Sequence, residues 1–341
     1  MKTAVVICPG RGVYNKAELG YLGRHHASRS EMFAAFDRQR AETGQETLAA
    51  LDGASSFAMA THTRGDNASA LIFAGSLADF RAIDRSKIDI VAVTGNSMGW
   101  YSALACGGAL SPDNGFRVAN TMGTLMQKSL IGGQLIYPFL GEDWVAAPER
   151  KAELLAIAER TGLSLSIDLG GMLVLAGDKA GLDAFETAVP VVQERFPMRL
   201  ANHAAFHTRL QAPVAAAGRD HLPASLFGQP ALPLIDGRGA IWWPGATDPE
   251  ALRDYTLGHQ VTESYDFTRA IQVAAREFAP DYFIVTGPGT TLGGAVAQSL
   301  ILATWRGMGS KADFQARQKE TSLLLAMGME EQRASVVGSP H

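Results

Sequence analysis

The residues best placed to do chemistry are five consecutive ones, Gly95-Asn96-Ser97-Met98-Gly99. They close an apolar run, "DIVAVTG" (89–95), and open a segment of helical spacing. Glycine, serine and glycine at alternate positions fit a nucleophile elbow. In such a strand-to-helix turn the serine backbone is strained, and side chains at the flanking positions would collide. The turn lifts the hydroxyl to the positive end of a helix. The next backbone N–H can then stabilise the oxyanion of an attacked carbonyl. The chemistry implied is nucleophilic attack by Ser97 on a carbonyl.

A serine hydroxyl needs a base to take its proton. Of the eight histidines, His25, His26, His62, His221 and His341 lie in polar or terminal settings and read as surface residues. His203, His207 and His259 remain. His207 stands out because "AFHTRL" puts it where a loop enters a helix. An ordinary serine esterase would also need an acid. Asp168, Asp178 and Asp183 are available, but they fall away from the expected triad strand.

The rest of the chain must position these groups. Its 341 residues are 47% hydrophobic and 19% charged, with a net charge of −4. That composition supports a sizeable core and excludes disorder. No Lys/Arg cluster stands out, so no nucleic-acid partner is expected. No run of about 18 apolar residues exists, so no membrane partner is expected either. The opening "MKTAVVICPGRG" is too short and too soon broken for a signal peptide. Cys8 and Cys106 lie in apolar stretches without metal or CxxC spacing. They read as buried free thiols, and the protein as cytoplasmic. No cofactor and no metal site is expected.

"TAVVIC" (3–8) and "DIVAVTG" read as fully buried strands. Helical spacing runs over 30–42, 68–83, 98–108 and 111–130. From residue 131 the texture changes to strand, charged helix (146–161), hairpin ("LSLSIDLGGMLVLAGD"), helix (179–188) and a strand near "PMRLA". That order suggests a split βαβ unit. A strand–helix alternation then returns through "ALPLID", "DFTRAIQVAAREF", "DYFIVTGPG" and "TTLGGAVAQSLILATW". The expectation is an α/β fold with a mainly parallel sheet. Its large subdomain comprises 1–130 and 203–306, its small subdomain 131–202, and a frayed tail 307–341. "GPGTTLGG" has its third glycine one position late for a dinucleotide turn, so no such site is expected. Trp242 and Trp243 read as packing.

Six stretches in order resemble the malonyl-CoA:acyl-carrier-protein transacylases and the related acyltransferase domains of polyketide synthases. They are "PGRG" (9–12), "GNSMGWYSALACGGAL" (95–110), "GTLMQ" (123–127), "AFHTRL" (205–210), "HQVTESYDF" (259–267) and "VTGPGTTLGG" (285–294). The resemblance implies a hydrolase-like α/β core with a ferredoxin-like insert. It implies Ser97 as nucleophile, His207 as base and the backbone carbonyl of Gln260 as the group that orients the imidazole. It places the oxyanion hole at the backbone N–H groups of Arg11 and Met98. It also implies acyl-CoA as donor and the phosphopantetheine thiol of an acyl carrier protein as acceptor, in fatty acid or polyketide biosynthesis.

The chain departs from the family at four positions. Counting from Ser97, Met122 stands where malonyl-using members carry a carboxylate-binding arginine; Arg117 matches a different one. Methionine offers an apolar, adaptable wall, so the acyl group is expected to be uncharged rather than malonyl. Arg11 replaces a glutamine. It could reach a carboxylate in the acyl pocket from another side, meet a CoA phosphate, or form a surface ion pair. Asn96 replaces a histidine, and Trp100 replaces a glutamate near the expected mouth. With Met122, these two make up the expected acyl pocket. Three functions follow: acyl transfer to a carrier protein, hydrolysis of acyl carrier thioesters on the same scaffold, or an idle carrier-docking scaffold.

Overall fold

The computed structural model describes residues 1–338. His341 lies outside the described residues. Two sheets organise the chain. The first has six strands in the order β11-β10-β1-β2-β7-β8. These are β1 (Lys2–Cys8), β2 (Ile88–Gly95), β7 (Leu234–Ile235), β8 (Ile241–Trp242), β10 (Tyr282–Val285) and β11 (Leu324–Ala326). Every pairing is parallel except the β7–β8 hairpin. Strand β1 sits centrally, and Ala4 through Cys8 are completely buried. That is why "AVVIC" is continuously apolar rather than alternating.

The second sheet is built from β3 (Gly133–Pro138), β4 (Ser164–Leu169), β5 (Met172–Gly177), β6 (Met198–Arg199) and β9 (Tyr265–Asp266), in the order β6-β3-β5-β4-β9. Its first four strands, with helices Pro148–Arg160 and Lys179–Ala188 between them, form an antiparallel β-α-β-β-α-β unit. This is the ferredoxin-like arrangement expected for 131–202. The added strand β9 comes from far along the chain and pairs parallel to β4. It fastens the small sheet to the segment that carries Gln260. Leu135, Tyr137, Leu154, Leu173, Leu175 and Phe185 form a separate buried cluster beneath the small sheet.

One expectation fails outright. Residues 311–336 are not a frayed tail but a helix (Lys311–Thr321), the parallel edge strand β11 and a second helix (Glu330–Val336). The cause is a buried charge cluster. Arg333 Nη1 donates to Asp79 Oδ1 at 2.6 Å, His26 Nε2 meets the same oxygen at 2.7 Å, and Tyr21 Oη donates to Oδ2 at 2.8 Å. Asp79 Oδ2 also accepts the backbone N–H of Gly287 at 2.6 Å. One carboxylate thus ties the C-terminal helix to the glycine turn after β10. A buried charge is tolerable only when paired and hydrogen-bonded in this way. His26 is therefore a core residue rather than a surface one, and so is His62, whose Nε2 lies 3.0 Å from the Leu51 carbonyl. Cys8 and Cys106 are buried free thiols with their sulfurs 3.9 Å apart.

Candidate active site

Strand β2 ends at Gly95, and the helix Gly99–Cys106 begins four residues later. Ser97 between them has φ = 55°, in the left-handed region that non-glycine residues avoid. The two glycines make the turn possible. A side-chain carbon on Gly95 would stand 2.3 Å from the Gly99 carbonyl, and one on Gly99 would stand 2.2 Å from the Cys8 carbonyl oxygen. The turn is held from below by Tyr265, whose buried hydroxyl donates to the Gly95 carbonyl at 2.6 Å. Because Tyr265 lies in β9, the small sheet helps to fix the nucleophile.

Ser97 Oγ lies 2.7 Å from His207 Nε2, although 110 positions separate them along the chain. His207 Nδ1 lies 2.6 Å from the backbone carbonyl of Gln260. A carbonyl only accepts, so Nδ1 carries the proton and Nε2 is left free to accept from the serine. His207 itself has φ = 56°. Strain at both partners of one hydrogen bond marks a site over-determined by its surroundings. Gln260 closes the circuit. Its side-chain nitrogen donates to the Ser97 carbonyl at 3.0 Å, and its Oε1 accepts from Tyr101 Oη at 3.2 Å. It follows a five-residue π-helical stretch, Tyr255–His259, which the sequence pattern does not announce. Such bulges often serve functional sites.

Burial pushes the His207 imidazole down to about 4, and the Gln260 carbonyl only partly opposes this. The ring is therefore neutral near pH 7, the state a general base requires. His203, four residues earlier, is part-buried beside it with Nδ1 2.7 Å from Gln134 Oε1. Burial first, then the charge on Arg11 and the neighbouring His207, hold His203 well below its ordinary range.

The site opens on a cavity of about 590 Å³. The elbow (Asn96, Ser97) and the loop after β1 (Gly10–Val13) form one wall. The inner face of the small sheet forms the other, with Ile136, Ile167, Leu169, Met172 and Val174. The sequence-predicted residues divide here. Ser97, His207 and Gln260 come together. Arg11 and Asn96 line the cavity. The backbone N–H groups of Arg11 and Met98 donate to no acceptor among the described residues, as an oxyanion hole requires.

Met122 and Trp100 do not belong to this pocket. Met122 is fully buried in the helix Pro112–Lys128 with its sulfur against Gly218, outside the cavity lining. Trp100 is fully buried on the core side of the elbow helix, where its Nε1 donates to Thr256 Oγ1 at 3.0 Å. Neither narrows the mouth. The candidate acids are also placed elsewhere. Asp168 bonds Lys151 and Thr268, Asp178 caps the helix Lys179–Ala188, and Asp183 pairs with Lys179 and Arg199. His259 stacks on Tyr255, and His221 is exposed. The residues that sequence reasoning passed over are Gln134, Tyr101 and Tyr265. Tyr101 and Tyr265 each act through one hydrogen bond and Gln134 through two, to Ser166 and His203, all to partners distant in sequence.

No group of three or more candidate metal ligands occurs among the described residues. No helix among them is long and apolar enough to cross a membrane.

Comparison with known proteins agrees with the motifs. No family model matches. The chain is 24% identical over 206 residues to the malonyl CoA-acyl carrier protein transacylase of Salmonella typhimurium, a stretch covering 59% of this chain and 63% of that protein. The protein of the same name from Escherichia coli K12 is 23% identical over the same shares. The chain therefore aligns with under two thirds of the length of these curated relatives. Solved structures match more completely. The malonyl-CoA:acyl carrier protein transacylase of Xanthomonas oryzae superposes with a TM-score of 0.75 at 19% identity, covering 99% of both chains. The Synechocystis enzyme does so with a TM-score of 0.75 at 17% identity, covering 98% of this chain and all of that one. The fold is that of these solved malonyl-CoA:acyl-carrier-protein transacylases, and the likeness of fold spans the chain.

Proposed function

We propose that this protein moves an acyl group from an acyl-CoA to the phosphopantetheine thiol of an acyl carrier protein, through an ester on Ser97. One observation carries the reading. Ser97 Oγ, His207 Nε2, His207 Nδ1 and the Gln260 carbonyl form a continuous relay with links of 2.7 and 2.6 Å, and Ser97 faces a cavity large enough for a thioester arm.

The steps follow from the relay. His207 Nε2 takes the Ser97 proton as Oγ attacks the thioester carbonyl. The N–H groups of Arg11 and Met98 receive the oxyanion. As the tetrahedral species collapses, the C–S bond breaks and the Nε2 proton passes to the departing CoA thiolate. The acceptor thiol then enters, gives its proton to Nε2 and attacks the ester carbonyl. Collapse returns the proton to Ser97 and releases the acyl thioester. Gln260 contributes a neutral carbonyl where a hydrolase triad has a carboxylate. It fixes the tautomer without adding a negative charge to hold the imidazolium. The names of the relatives support both the donor and the acceptor.

Intact-protein mass spectrometry after mixing with a panel of acyl-CoAs tests the reading. An adduct that persists and then moves to an added holo carrier protein supports transfer. An adduct that disappears into free acid without an acceptor would make the protein a hydrolase. No adduct with any thioester would leave an idle docking scaffold.

A further inference from the structure

The cavity beside Ser97 has one wall that the relay does not explain. Side chains alternate along β3 and β5. Leu135, Tyr137, Leu173 and Leu175 pack in the separate core beneath the small sheet, while Ile136, Met172 and Val174 line the cavity. Ile167 and Leu169 of β4 extend the cavity face on one side, and Met198 of β6 extends it on the other. With the strands in the order β6-β3-β5-β4, that face is three strand spacings wide, about 14 Å. An antiparallel sheet that packs one face on a core ordinarily turns polar residues to water on the other. Here the second face is apolar, yet Ile136, Leu169 and Met172 are only half-buried and Met198 is exposed. Nothing in the chain covers it fully among the described residues.

The polar groups along this wall are committed to the protein. Gln134 Nε2 donates to Ser166 Oγ at 2.6 Å, and its Oε1 lies 2.7 Å from His203 Nδ1. Gln298 Oε1 accepts the Gly171 N–H at 2.9 Å. Two cationic side chains, Arg11 and Arg195, belong to the lining. Arg11 Nη2 spends its two N–H groups on the carbonyls of Asn202 and Thr63, at 2.8 and 3.2 Å, and its Nε and Nη1 are buried. This guanidinium therefore presents no free N–H to the cavity. Arg195 is exposed, with its guanidinium 4.7 Å from the centre of the Phe196 ring, and solvent screens its charge. An amide or carboxylate laid along the sheet would lose water and gain no partner there, whereas a hydrocarbon chain gains by leaving water. The volume of about 590 Å³ is that of a pocket for a drug-sized ligand, well beyond the three carbons of a malonyl group. Ser97 lines the same cavity, so a chain esterified there starts at the foot of this wall.

We infer that the cavity face of the small sheet seats the alkyl chain of the acyl group on Ser97, so that the donor is the thioester of a medium-chain aliphatic acid. The inference rests on the acyl-serine reading above and names its substrate class. The expectation of an uncharged acyl group loses Met122 as its support, because Met122 lies outside the cavity lining. The sheet face takes that place. In acyl group the inference departs from the malonyl in the names of the relatives.

The test measures kcat/KM for acylation of Ser97 by acetyl-, butyryl-, hexanoyl-, octanoyl-, dodecanoyl- and malonyl-CoA. Each methylene taken from water adds up to roughly fourfold, so the wild type should use octanoyl-CoA at least about tenfold better than acetyl-CoA. Malonyl-CoA should be a poorer donor than butyryl-CoA. A wild type that prefers malonyl-CoA, or whose rate is flat or falls with chain length, overturns the inference without any variant. Ile136→Trp fills the face and Met172→Glu puts a carboxylate on it at a half-buried position. In each, with circular dichroism confirming the fold, the octanoyl-to-acetyl ratio should fall by about tenfold or more. An equal effect on every donor would assign the face to the arm that all CoA esters share, and would also overturn the inference. If no thioester acylates Ser97, the acyl-serine reading itself has failed. Calorimetric titration of Ser97→Ala with octanoyl-CoA, against CoA alone, then decides the chain site. Octanoyl-CoA binding at least about tenfold tighter than CoA, and reduced on adding Met172→Glu, upholds the site; equal or absent binding refutes it.

Discussion

Acidification offers a quantitative test of the relay, because the environment of His207 sets a number. Burial lowers its imidazole from 6.5 to about 4. That drop corresponds to roughly 3 kcal/mol against the imidazolium, the form that cannot accept the Ser97 proton. At about pH 5.5 an ordinary histidine would be about nine-tenths protonated, whereas one at about 4 is protonated in roughly one molecule in thirty. Single-turnover acylation of Ser97 should therefore be almost flat from about pH 8 to 5.5 and fall only toward pH 4. Stability should move in the matching direction. The unfolded chain binds a proton on this histidine below about 6.5 and the folded chain only near 4, so stability is full above that window and declines as pH falls through it. Rapid-quench mass spectrometry at a series of pH values, with circular dichroism to confirm the fold, measures both. A tenfold loss of acylation between pH 7 and 5.5 in a folded protein would refute the assignment of His207 as a buried neutral base.

Three further outcomes follow from particular contacts. Gly99→Ala drives a carbon to within 2.2 Å of the Cys8 carbonyl oxygen; it should cost about 3 kcal/mol in urea unfolding and slow acylation by pushing the Arg11 loop away from the elbow. Asp79→Ala leaves Arg333 buried without its counter-charge; a loss of about 3–5 kcal/mol and faster proteolysis within 311–338 are expected. Trp100→Phe removes the bond to Thr256; denaturant unfolding should show a loss of roughly 1–3 kcal/mol with acyl-CoA selectivity unaltered, because the ring lies behind the elbow and not in the cavity.

Much of this architecture was legible in the chain because its signals are local. The elbow announces itself through glycines that no other residue could replace. The small sheet shows in the alternation of short strands and charged helices between 131 and 202. His207 stands out by its place at a loop-to-helix junction. What stayed hidden depends on partners far apart. His26 looks like a surface residue until Asp79 and Arg333 arrive from 53 and 307 positions away. β11 has only three residues and is recognisable only by its pairing with β10. Met122 and Trp100 show the limit of counting along a helix. Position along a motif locates a residue but not the side of the helix it presents, and both side chains turn into the core. Arg11 is the converse case. Its residue type raises three possibilities, and the structure excludes the surface ion pair, because the guanidinium donates to the Asn202 and Thr63 carbonyls and meets no carboxylate among the described residues.

The most direct measurement is peptide mapping by tandem mass spectrometry after brief exposure to a panel of acyl-CoAs and acid quench. An acyl ester on Ser97, lost in His207→Ala on the same timescale, is the result predicted here. An acyl group carried by any other residue, or equal labelling of Ser97 without the imidazole, would contradict the mechanism.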